Sequence, residues 1–69
     1  MNKNDKRYGG INAANAGIVK LALSMGYHQH IIAAYFLDNP GRVSETKTGK
    51  RYADVPKAAA LPSDFPHLH

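Results

Sequence analysis

The sequence predicts an all-α fold: a compact domain of three to four helices, preceded by a flexible arm and followed by a proline-broken tail. Three observations lead to it. Apolar residues between Ile11 and Met25 recur at steps of three and four, the period of an α-helix. A second apolar group, Ile31, Ile32, Ala33, Tyr35 and Phe36, forms another helical face soon after. Between and beyond them stand the residues that start and stop helices: Gly26, the run "DNPG" and Gly49.

Each element follows in order. Residues 1–10, "MNKNDKRYGG", are polar and charged and cannot bury enough apolar surface to order themselves, so a flexible basic arm is expected. Residues 11–51 are expected to form the folded domain. Its first helix should run from about Asn12 to Met25, with Ile11, Ala14, Ile18, Leu21 or Ala22, and Met25 on one stripe and Gly26 at the C-terminal cap. Val19 and Leu23 fall off that stripe, which suggests burial against two neighbours, one of them a second subunit. The second helix should span about His28 to Leu37, with Ile32, Ala33 and Phe36 inward. The third should begin at Pro40, behind an Asn39 cap, because proline has no N–H to leave unpaired there; it should end near Thr48 with Gly49 as its cap. In the tail, residues 52–69, "KAAAL" reads as a short helix opened at Pro56 and stopped by Pro62. Tyr52, Val55 and Leu61 are expected to dock on the domain, while Phe65 and Leu68 look isolated and the end mobile.

Size and composition bound the function. A chain of 69 residues buries only about 60% of its unfolded surface, so its stability margin is thin. With no cysteine there is neither a disulfide nor a Cys-based zinc site to supplement the core, and oligomerisation is the simplest remaining aid. The absence of cysteine also points to a reducing compartment. No apolar run approaches the roughly 20 residues of a membrane-spanning helix, and the N-terminus lacks the hydrophobic stretch of a secretory signal. A cytoplasmic protein without membrane partners is therefore expected. Net charge is +4 and the pI about 9.6, a balance that favours polyanionic partners.

Two helices joined by a turn of about three residues have helix-turn-helix geometry. The stretch "QHIIAAYFLDNPGRVSETKTG", Gln29 to Gly49, resembles the helix-turn-helix of phage- and plasmid-type repressors. Gln29 matches the glutamine that often opens that motif. Ala33 matches the small residue where its helices cross, Phe36 the next buried apolar position, and Val43 the branched residue that plugs the recognition helix into the core. "GRVSETKTGKR" is similar to a run in small prophage and mobile-element regulators, and "GIVKLAL" to their first helix. The likeness covers roughly Ala14 to Arg51. Two positions depart from it. Leu37 stands where the family usually has Gly in a left-handed conformation, a strain of roughly 1 kcal/mol or more unless Asp38 or Asn39 takes that conformation instead. Thr46 stands where an aliphatic residue is usual, and its hydroxyl needs a carbonyl in the preceding turn or water.

The resemblance implies a bacterial or phage-encoded transcriptional regulator, a repressor-like protein of a mobile element that is found on the nucleoid when bound to double-stranded DNA. The third helix would enter the major groove, where one α-helix fits and bases are read by hydrogen bonds. By position, Asn39, Pro40, Gly41 and Glu45 would face bases, with Arg42 and Ser44 flanking. Gln29, Lys47, Thr48, Lys50 and Arg51 would lie on phosphates, adding affinity without reading sequence. A homodimer is implied, since one such helix reads only a few base pairs and symmetry doubles the site.

Plainer readings stand beside these. Four cations near the third helix, Arg42, Lys47, Lys50 and Arg51, also suit a solvated face. Arg42 and Glu45, three apart, can pair with each other. Lys20 is expected to do no more than solvate the first helix. "HQH" at His28 and His30 and "HLH" at His67 and His69 lack the spacing and companions of a metal site. No catalytic arrangement and no cofactor motif is present in the sequence, so no enzyme is expected. The alternative function is a helix-turn-helix-derived interaction module, an antiactivator or antitoxin-like inhibitor that has given up DNA and binds a protein, with the C-terminal tail as a candidate contact.

Overall fold

A computed structural model describes residues 10–68. They form three helices and no strand: α1 (Ala16–Ser24), α2 (Gln29–Tyr35) and α3 (Pro40–Thr48). The arm expected over residues 1–10 lies, but for Gly10, outside the described residues. None of the described helices is long and apolar enough to cross a membrane.

The helix ends follow from local backbone chemistry. α1 starts later than its apolar period suggests, because two asparagines organise the turn before it. Asn12 Oδ1 accepts the N–H groups of Ala14 and Asn15, at 2.9 and 3.2 Å. The buried Asn15 returns the bond, its Oδ1 accepting from Asn12 N at 2.8 Å while its Nδ2 donates to the Gly10 carbonyl at 2.9 Å. Helical bonding is already under way here, with Ala16 N–H on the Asn12 carbonyl at 2.9 Å. At the far end Gly26, φ +98°, closes α1 as the sequence predicted. Tyr27 N–H reaches back to the Ala22 carbonyl and Gly26 N–H to Leu23, the paired bonds of a Schellman cap.

α3 begins and ends where its capping residues place it. Asn39 Oδ1 accepts from Arg42 N–H at 3.1 Å, Pro40 occupies the first turn, and Gly49 at φ +84° stops the helix. α3 packs against both α1 and α2. The core between them contains Ile18, Val19, Ala22, Ile32, Ala33, Phe36 and Val43.

The segment after Arg51 departs most from expectation. Residues 52–68 contain no helix, so the fourth helix expected at "KAAAL" is absent. Pro56 and Pro62 leave only five residues between them, too few to offset the cost of nucleating a helix, and Pro62 biases Leu61 away from helical angles. The backbone finds partners on α1 instead. Ala58 N–H donates to the Gly17 carbonyl at 3.0 Å. A Cβ on Gly17 would lie 2.6 Å from the Pro56 carbonyl oxygen, so only glycine admits this approach. Lys20, expected to do no more than solvate α1, directs its ammonium at the carbonyls of Tyr52 and Val55, each at 2.6 Å. Tyr52 carries φ +58°, which turns the chain back over α1.

Phe65 corrects the expectation of a mobile end. It is buried in the core, edge-on to Tyr27 at 5.1 Å and against Tyr35 at 4.6 Å. Tyr27 Oη donates to the Pro66 carbonyl at 2.8 Å and Tyr35 Oη to Asp64 Oδ1 at 2.6 Å. The tail is thus a strap, with Tyr52, Ala58 and Leu61 packed partly buried on the core. The helices also account for Val19, which is fully buried within one chain, while Leu23 packs half-buried against the core.

Phe36 is fully buried. Phe36→Ala should remove about 3–5 kcal/mol, most of the stability of a domain this small. Phe65→Ala should cost about 3 kcal/mol if the strap belongs to the core. Urea unfolding of both variants measures this; a Phe65→Ala protein that unfolds with the parent's midpoint would mean the strap is not docked.

Candidate functional site

The candidate site is α3 with the turn before it and the residues just after it. α2 ends in a Schellman cap built without glycine. Leu37 N–H donates to the Ala34 carbonyl at 3.2 Å and Asp38 N–H to Ala33 at 2.9 Å, which puts Leu37 itself at φ +58°. The turn is therefore not reshaped around Asp38 or Asn39, the relief considered from the sequence; Asn39 sits at φ −98°. Leu37 takes the strain because the caps on either side leave no other residue free to reverse the chain. Its side chain is 72% exposed.

The reversal decides which face of α3 turns inward. Only Val43 and Thr46 are buried on it. Thr46, the polar substitute for an aliphatic residue, is satisfied within the helix, Oγ1 donating to the Arg42 carbonyl at 2.9 Å. Among the described residues no buried side-chain polar atom lacks a partner.

Of the residues expected to face bases, Asn39, Pro40 and Gly41 are exposed, and Arg42, Ser44 and Glu45 are half-exposed. Asn39 Oδ1 is committed to capping Arg42 N–H, so its amide nitrogen is the group it offers outward. Gly41 keeps that cap clear: even a Cβ there would lie 3.0 Å from Asn39 Oδ1. Among the residues expected on phosphates, Lys47, Thr48, Lys50 and Arg51 are exposed at the end of α3 and just beyond it. Gln29 is half-buried in the first turn of α2.

The charged groups are partly paired. Glu45 Oε1 accepts from Arg51 Nε at 2.8 Å and lies 3.7 Å from Arg42 Nη1. The expected Arg42–Glu45 pair is therefore present, but the shorter contact is to Arg51, placed on phosphates alone by the sequence reading. The side chains are 40–46% exposed. Such pairs contribute at most about 1 kcal/mol and yield to a competing anion.

One contributor was read from the sequence only as a candidate for the left-handed turn position. Asp38 links α3 to the start of the domain: Oδ1 accepts from Asn39 N–H at 2.8 Å and Oδ2 from Ile11 N–H at 3.0 Å. An aspartate before Asn-Pro signals a turn, but nothing local signals a partner 27 residues away. Of the histidines weighed as metal ligands, His69 lies outside the described residues. His28 and His30 stack at 5.6 Å, which His28 reaches because it sits at the extended cap of α2 rather than within it. No group of three or more potential metal ligands occurs among the described residues.

No protein-family model, curated protein or solved structure matches this chain.

Leu37 supplies a direct check of the turn. A left-handed non-glycine residue costs about 1–2 kcal/mol, and glycine adds about 0.5–1 kcal/mol of chain entropy to the unfolded state. Leu37→Gly should leave stability unchanged or raise it by up to about 1 kcal/mol in urea unfolding. A loss of more than about 1 kcal/mol would mean Leu37 does not hold this conformation.

Proposed function

We propose that the chain is a sequence-specific DNA-binding transcriptional regulator that reads the major groove with α3 and binds as a homodimer to two-fold-related half-sites. The observation that carries the reading is the division of α3: Val43 and Thr46 tie it to the core, and the rest of the helix is left to solvent with cations along and beyond it. A helix that packs through one narrow face and turns the other to solvent beside cations suits a partner that surrounds its outer face, and the major groove accepts one α-helix. The left-handed Leu37 supports the reading further, because it lies at the position where the resembling repressors place glycine.

In this reading the outward groups divide by chemistry. Arg42 forks onto a guanine edge, and Glu45 accepts from a cytosine amino group or stays paired with Arg42 and Arg51. Asn39 offers its amide N–H, Ser44 its hydroxyl, and Pro40 and Gly41 permit close approach without specifying a base. Lys47, Thr48, Lys50, Arg51 and Gln29 hold phosphates, where they set register and affinity. A phosphate beside Arg51 competes with an exposed carboxylate pair, so that contact costs little to exchange.

The dimer rests on site size, since Val19 is buried within the chain and Leu23 is half-buried. The interaction-module alternative loses the free tail that suggested it, because Phe65 and Leu61 pack on the core. What favours it is Leu37, an exposed apolar side chain beside α3. It predicts salt-insensitive binding to a protein and none to DNA.

Arg42→Ala should lose about 1–3 kcal/mol on the preferred site, recovered by genome-wide footprinting, and much less on random duplex. Lys50→Ala should weaken both equally and reduce the salt slope by about one unit. Absence of salt-dependent affinity for any duplex, or an Arg42→Ala protein that binds like the parent, would refute the reading.

Stoichiometry is a separate test. Sedimentation of the saturated complex should show two 7.5 kDa chains per site. A single chain at saturation would remove the dimer while leaving DNA binding intact.

A further inference from the structure

We propose that Glu45 sets the sequence selectivity of α3 by a penalty: it keeps Arg42 and Arg51 off the phosphates of unrelated DNA and releases them where a base amino group takes its carboxylate. The inference rests on the DNA reading above and assigns the discrimination within it to one residue.

Three side chains meet at one carboxylate oxygen by two different routes. Arg42 stands three residues before Glu45 on the same face of α3, with Nη1 3.7 Å from Oε1. Arg51 stands six residues after it, a spacing that no single helix face brings together, yet its Nε donates to the same oxygen at 2.8 Å. Gly49 makes that contact. At φ +84° it ends α3 and turns the chain back, and the N–H groups of Lys50 and Arg51 both reach the Glu45 carbonyl, at 3.0 and 3.3 Å. Thr48 Oγ1 donates to that carbonyl as well, at 3.3 Å. Glu45 therefore holds Arg51 by backbone and side chain together.

The charge pattern gives this arrangement a consequence. Between Asn39 and Arg51, Glu45 is the one acidic residue beside Arg42, Lys47, Lys50 and Arg51. An ionised carboxylate only accepts hydrogen bonds. In the major groove it suits an exocyclic amino group, usually that of cytosine, and it is repelled by guanine O6 and N7 and by thymine O4. The pairs are exposed, so a phosphate can draw either arginine away. The cost lies in what remains: a carboxylate stripped of its partners between two walls of phosphate. Where a cytosine amino group receives Glu45, that cost is removed, Arg42 is free for a guanine edge and Arg51 for the backbone. On other sequences the pairs persist, and the two arginines add little to binding. Selectivity then comes as much from what Glu45 rejects as from what Arg42 attracts.

Titration of a mixed-sequence duplex of about 30 base pairs across a salt series reads the penalty without knowledge of the operator. Glu45→Gln keeps the side chain's shape and removes its charge. It should bind that duplex about 5- to 10-fold tighter at about 0.1 M salt, with a salt slope steeper by about one unit. Glu45→Ala should do the same. The gain should vanish in an Arg42→Gln/Arg51→Gln background, which separates release of the arginines from a change in net charge. Selection from a randomised duplex library reads the other half. The parent's pool should carry a preferred C·G pair whose enrichment falls at least about fivefold in the Glu45→Gln pool. If the parent binds duplex and Glu45→Gln keeps its affinity and slope, or if the gain persists without the two arginines, Glu45 does not withhold them and the α3 reading stands. A Glu45→Gln pool with the parental C·G preference overturns the proposal as well. If the parent binds no duplex, both readings fall together.

Discussion

Phe36 is the residue on which the rest of this small structure depends. It is fully buried at the C-terminal cap of α2, edge-on to Tyr35 at 4.9 Å and 6.4 Å from Phe65. Two consequences follow from placing so large a side chain there. The next residue must reverse the chain at once, which sends Leu37 into the left-handed region and aims α3 across the core. The ring also needs covering, and three helices of seven to nine residues cannot enclose it alone. Phe65 does so from the far end of the chain, with Tyr27 and Tyr35 holding its neighbours by their hydroxyls. For a chain without a disulfide, this strap takes the role a cross-link plays in other small domains.

α3 packs against both other helices through one narrow face. Its tie to the core is Val43 and a threonine whose hydroxyl is satisfied inside the helix. Its start is fixed by local bonds, Asp38 to Asn39 and Asn39 to Arg42, rather than by packing. Glu45 draws Arg42 and Arg51 toward one point on the outer face, so the cations are loosely ordered before any partner arrives. A face arranged in this way keeps its orientation but can exchange its partners, since the exposed pairs contribute little. Preorganisation of that kind lowers the ordering cost of binding.

The strap and the Gly10–Ile11 segment meet the helices at connected places. Tyr52 donates to the Ile11 carbonyl, and Ile11 donates to Asp38. From α1, Lys20 anchors the beginning of the strap at Tyr52, the residue immediately after Arg51. Lys50 and Arg51 themselves are tied to the end of α3, both N–H groups donating to the Glu45 carbonyl. Gly17 belongs to the same arrangement, since a side chain there would lift the strap from α1.

Much of the architecture was legible from residues close together in the chain. By itself the sequence determined the three helices, the glycine stops at Gly26 and Gly49, the Asn39–Pro40 start of α3, and the inward positions Ile18, Ile32, Phe36 and Val43. These depend on hydrogen bonds and apolar spacing within about one helical turn, which a linear reading contains. The candidate site shared that legibility, since its exposed face is the complement of Val43 and Thr46 on a helix whose bounds were readable. Tertiary structure alone decided the rest: that residues 52–68 form a strap instead of a helix, that Phe65 enters the core, that Val19 needs no second subunit, that Lys20 clamps two carbonyls, and that Leu37 carries the reversal. The strap's bonds join residues 29 to 41 positions apart. No local propensity encodes such partners, because the energy that selects them exists only once the helices have come together to offer a groove, a carbonyl and a buried ring.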